Sequence, residues 1–88
     1  MVLKLGKAGK HGSLVDITLN NYSDKETTFR IWHTPLNSPA KNRIVFQTLP
    51  PKSFWQMKTI GLRANLHLYG RTNRPNESEI ITRWMHIS

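Results

Sequence analysis

Residues 6–13, GKAGKHGS, gather three glycines, two lysines and a histidine, the residue types that cradle a phosphate. A phosphate loop needs G-x-x-x-x-G-K-[ST] between a strand and a helix, so that backbone N–H groups and the lysine ammonium converge on the anion. Counted from Gly6, the sixth residue is His11, and Gly12 is followed by Ser13 instead of lysine. The G-x-G of a dinucleotide fingerprint is also missing. Neither motif is present, and the stretch reads as part of a flexible basic arm spanning residues 1–13. Its Lys4, Lys7 and Lys10, with His11, can lie along a phosphate backbone and release counterions. The plainer reading is a solvated terminus.

A second group of residues alternates rings with cations. Arg30 and Trp32, then Asn65, His67, Tyr69 and Arg71, stand opposite the aliphatic positions of their segments, and Arg74 follows in a basic turn. On neighbouring strands they make a face on which bases stack and phosphates meet cations, which suits single-stranded nucleic acid better than a duplex groove. The competing reading places Trp32 and Tyr69 in the core, since a small domain needs its large side chains there. Trp32, Trp55 and Trp84 together would also make a platform for a sugar. Phe54, Trp55 and Met57 load one short segment with apolar surface and read as an oligomer contact.

Catalytic patterns are weak. Asp16, Asp24, Glu26, Glu77 and Glu79 are the only carboxylates, and most fall in turns, whereas glycoside hydrolysis wants two that face each other. The histidines His11, His33, His67 and His86 match no metal-ligand spacing, and with no cysteine there is no thiolate site, disulfide or sulfur nucleophile. His33 and His67, on adjacent strands, would offer a base and an acid for metal-free ribonuclease chemistry. Ordinary sheet histidines are by far the stronger reading. The expectation is a non-enzymatic domain with no cofactor and no metal.

Thirteen Lys and Arg against five Asp and Glu give the 88 residues a net charge of +8. That field favours an anionic partner: nucleic acid, an acidic protein or an anionic surface. No run of 18 apolar residues and no secretory leader is visible, so a cytoplasmic protein without a membrane span is expected. The sequons Asn21-Tyr22-Ser23 and Asn76-Glu77-Ser78 read as turns.

The elements that must carry these residues are short and β-rich. LVDITLN (14–20) puts Val15, Ile17 and Leu19 on one face and Asp16, Thr18 and Asn20 on the other. TTFRIWHT opposes Phe29 and Ile31 to Arg30 and Trp32, and the two segments read as a hairpin from Val15 to His33. Further strands are expected at 43–49, 52–60 and 64–70. Pro35 and Pro39 mark a break at 34–42 that reads as a crossing between sheets. The segment 78–87 leans to a strand, although Asn76 and Glu79 have capping-box spacing and Ile80, Trp84 and Ile87 would share one helical face. The pattern predicts one all-β domain over 14–88, a small antiparallel β-sandwich. A five-stranded open barrel, with or without a C-terminal helix, is the alternative. Exposed strand edges and a modest core make a homo-oligomer, or a structural subunit of a larger assembly, the rival to nucleic-acid binding. A carbohydrate-binding sandwich ranks third.

Overall fold

A strand whose alternate residues are all aliphatic can be stable only between two neighbours and above a second layer. The computed structural model, which describes residues 2–34 and 42–88, gives 14–20 that environment. Seven strands run β1 (Leu3–Lys7), β2 (Ser13–Asn21), β3 (Thr27–Thr34), β4 (Asn42–Leu49), β5 (Phe54–Leu62), β6 (His67–Thr72) and β7 (Ser78–His86). They form two packed antiparallel sheets, A in the order β1-β6-β3-β4 and B in the order β5-β2-β7. The domain is an all-β sandwich, and its strands do not close into a barrel.

The core lies between the two central regions. Val15, Ile17 and Leu19 of β2 meet Phe29 and Ile31 of β3 and Leu68 of β6, all almost wholly buried. Each such side chain contributes about 1.5–3 kcal/mol on burial. Trp55, Met57, Ile60, Ile80 and Trp84, from the two outer strands of sheet B, pack against this centre from the sides.

Several expectations change. The segments 14–20 and 27–33 are strands but not a hairpin: β2 lies in sheet B and β3 in sheet A, so the turn at 22–26 is a crossing. Conversely, β3 and β4 are neighbours in sheet A, so the proline-containing stretch does not change sheet. Residues 35–41 themselves lie outside the described residues. The C-terminal segment is strand β7, paired with β2 over nine residues without a shift. Its Ile80, Thr82 and Trp84 alternate toward sheet A, a period of two that a helix would scatter.

Residues 3–13 are not a free arm. Leu3–Lys7 pairs with β6 as an edge strand, and Ala8 is buried. The glycines of GKAGKHGS make that docking possible. A Cβ on Gly6, whose φ is 151°, would lie 2.5–2.9 Å from the Trp84 indole. Gly12, at φ 91°, would bring a Cβ within 3.0 Å of the Leu62 carbonyl oxygen.

Hydrogen bonds tie both ends of the sandwich. At one end the Ala8 N–H donates to Leu66 O (2.8 Å), the Ile87 N–H donates to Gly12 O (3.1 Å), and Gly9 N–H donates to the Ser13 hydroxyl (2.9 Å). At the other end the buried amide of Asn21 joins two loops. Its Nδ2 donates to Lys25 O (2.8 Å), Pro50 O (2.9 Å) and Leu49 O (3.2 Å). Its Oδ1 accepts from Ser23 N–H (3.0 Å) and from the Thr27 hydroxyl (2.9 Å). Replacing this amide strands several buried polar groups at once. We expect Asn21→Ala and Asn21→Leu each to lower the unfolding free energy by about 2–4 kcal/mol in urea titrations, the leucine's apolar bulk giving no rescue.

Candidate functional site

The outer face of sheet A is assembled by register. Residues directly opposite in an antiparallel pair share a face. Lys4 stands opposite Tyr69, Tyr69 opposite Trp32, and Trp32 opposite Arg43, giving one row across all four strands. In the next row Arg71 faces Arg30 and Arg30 faces Phe46. On the other side Lys7 faces His67. The rings form a ladder: Trp32 and Tyr69 have centroids 6.2 Å apart at 25°, and Tyr69 and His67 6.3 Å apart at 14°. Phe46, 46% exposed, lies under two guanidinium groups, with Arg30 Cζ 5.1 Å and Arg43 Cζ 5.4 Å from its centroid. These cation–π contacts hold both charges over the sheet.

Charge is sorted by sheet. The strands of sheet A carry Lys4, Lys7, Arg30, Arg43 and Arg71 and no carboxylate. In sheet B, Asp16 and Glu79 balance Lys58 and Arg83, and the other acids, Asp24, Glu26 and Glu77, sit in loops. Arg30 and Arg71 therefore face each other on neighbouring strands with no acid on their own sheet. Both line a hollow of about 390 Å³ with Thr28, Phe46, Thr72 and Asn73. Both also line an adjoining one of about 270 Å³ with Val2, Trp32 and Arg43. Hydroxyl, amide and guanidinium donors around a shallow basin suit an anion with several acceptor oxygens.

Of the residues singled out from sequence, Arg30, Trp32, His67, Tyr69 and Arg71 come together on this face. Lys4 and Lys7 join them from the edge strand instead of from a loose arm. Lys10 is in the 8–12 turn, and Arg74 is in the 73–77 loop with its Nε donating to Glu26 O (3.1 Å), so neither lies on the face. Phe46 and Arg43 were missed. Three consecutive apolar residues, Ile44-Val45-Phe46, hide which one points out, and the register shift opposite Ile31 and Trp32 decides it.

Other constellations are not formed. Trp55 and Trp84 pack against the core, which leaves the three-tryptophan platform unassembled. Met57 packs there too, so of the expected oligomer contact only Phe54, 68% exposed, faces outward. His33 stands opposite the buried Leu68, while His67 is one position further along β6 and on the other face, so the two imidazoles cannot act together. A Ser13–His86 contact of 2.5 Å was not foreseen. Ser13 is buried and its oxygen already receives the Gly9 N–H, so the pair clasps β7 to the 8–12 turn. Among the described residues, no group of three or more His, Asp or Glu is placed to hold a metal ion. Among the described residues, no helix is long and apolar enough to cross a membrane.

Compared with known proteins, the chain matches no family model, no curated protein and no solved structure.

Two stability measurements probe this face and what lies behind it. Like charges directly opposite on neighbouring strands repel. We expect Arg71→Thr to stabilise the fold by about 0.2–1 kcal/mol in low-salt denaturant titrations, with the gain fading as salt screens the pair. Behind the ring ladder, burial and then the Arg63 charge hold the His33 imidazole below its ordinary value of 6.5. The folded state thus resists protonation. The contribution of His33 is complete above the ordinary value and is lost as pH falls through the lower folded-state value. His33→Gln should flatten that acid-side decline in a pH series of thermal melts.

Proposed function

We propose that the outer face of sheet A binds single-stranded nucleic acid. The observation that carries this reading is the row Tyr69–Trp32, flanked by Arg30, Arg71, Arg43 and Lys4 on a sheet without a carboxylate. Bases supply π-faces for the rings, and phosphates supply the oxygens for the opposed arginines. A sheet face presents no projecting helix or ribbon to enter a duplex groove, whereas unpaired bases can splay onto it. Lys7 and His67 extend the track toward one end. Lys10 and Arg74 add only to the long-range field.

The test is titration of a labelled mixed-sequence oligonucleotide at two salt concentrations. We expect affinity to fall steeply with salt. Trp32→Ala or Tyr69→Ala should weaken binding at fixed salt by roughly 5- to 150-fold, the loss of one stacked base at about 1–3 kcal/mol. Arg30→Gln should lower the salt slope by about one. Lys58→Gln, on sheet B, should change little. Absence of binding at low salt would overturn the proposal. Equal effects of Lys58→Gln and Arg30→Gln with no ring dependence would reduce it to unspecific attraction by a basic protein.

A further inference from the structure

A sandwich of two open sheets has four edge strands, and an edge is a template for another chain unless something disrupts it. Three of the four are disrupted here. The pairing of β1 shifts between Lys4 and Gly6, and its side chains include two lysines. That of β4 shifts opposite Ile31 and Trp32. That of β5 shifts between Val15 and Ile17, where Thr59 is held at φ 61° with its N–H donated to Asp16 Oδ1 (2.7 Å). The fourth, β7, keeps unbroken register with β2 from Ser78 to His86 and contains no Pro, Gly or Lys. It also borders exposed apolar surface, with Ile81 at 45% and Met85 at 65%.

We infer that a second copy of this chain pairs with β7, antiparallel, about a two-fold axis at Ile81. The side-chain pattern is self-complementary in that register alone. Glu79 lies two residues before Ile81 and Arg83 two after it, all three on the outer face of sheet B. Pairing about Ile81 sets Glu79 of each copy opposite Arg83 of the other and the two Ile81 side chains opposite one another. A shift of one residue, to an axis at Thr82, would instead set Arg83 against Ile81 and Glu79 against Met85. Charge selects the same side of the molecule. Copies of a +8 chain repel, and the strands of sheet B, in which Asp16 and Glu79 offset Lys58 and Arg83, are where they can approach. The two-fold lies normal to sheet B, so both sheet A faces of the pair look the same way.

The absence of cysteine makes the register directly measurable. Each variant carries one cysteine at an exposed or half-buried position and is oxidised without nucleic acid, so the outcome is independent of the binding proposal. We expect Ile81→Cys to form disulfide-linked dimers readily. A mixture of Glu79→Cys and Arg83→Cys chains should give heterodimers in excess over either homodimer. Light scattering of the cysteine-free protein at high micromolar concentration should report two copies. Arg83→Glu should return it to one copy with an unchanged far-ultraviolet dichroism spectrum, and Glu79→Arg with Arg83→Glu should restore two. A monomer at all concentrations would overturn the inference. So would cross-linking at Gln56→Cys, on the far strand of the same face, as fast as at Ile81→Cys.

Discussion

One primary amide, that of Asn21, holds two of the three places where the chain changes sheet at one end of the sandwich. The crossing from β2 to β3 and the crossing from β4 to β5 both bring buried carbonyl groups to the place where the two layers separate. Backbone oxygens removed from water without a partner would cost more than the local apolar contacts return. Asn21 supplies donors to one crossing at Lys25 and to the other at Leu49 and Pro50, while its carbonyl oxygen holds Ser23 and Thr27. The angle at which β3 leaves for sheet A is thereby fixed. The pairing of β3 with β4 and β6 then sets Arg30 and Trp32 on the outside of that sheet. The same geometry disposes of the sequon at this position, because the amide is buried and fully engaged in the fold.

The two layers divide their chemistry. Sheet A is uniformly cationic on its strands and shows half-buried rings in a ladder, and sheet B is balanced in charge and exposes Phe54, Ile81 and Met85. Nothing in packing requires that division, since both inner faces are apolar, with Phe29 in sheet A and Trp55, Met57 and Trp84 in sheet B added to a common set of Val, Ile and Leu. It acts against stability, in fact, because it sets Arg30 against Arg71 where a Thr–Arg or Glu–Arg pair would serve the sheet better. A feature that the fold tolerates instead of using is where a ligand is to be sought.

Much of this was legible in the order of residues. The β2 alternation, the inward Phe29 and Ile31 with outward Arg30 and Trp32, and the inward Leu66 and Leu68 with outward His67 and Tyr69 all follow from a period of two. What periodicity does not hold is which strand neighbours which. The hairpin expected from 14–33 failed because strand proximity in sequence is a tendency, and the crossing depends on a polar network no pattern reveals. β1 was read as a tail because LKLGK is too short and too basic to announce a strand. Its place comes from Trp84, 78 residues away, which needs the bare backbone of Gly6 beneath it. Phe46 and Arg43 were hidden by a bulge, which shifts the faces of a strand without leaving a mark in composition.

Among the strands of the described residues, five of the six successive pairs lie in different sheets, and β3 and β4 alone are successive neighbours within one. Such a chain cannot mature piecemeal as it is synthesised. Sheet B lacks one of its three strands until residue 86 has been made, and β1, which precedes the other strands, waits for β6 to find its place. Local pairing can nucleate little beyond one hairpin, so folding must close long loops before it gains contacts, which places it among the slow two-state topologies. During that interval the Val, Ile and Leu of β2 stand uncovered, and the surplus of like charge holds unfinished chains apart.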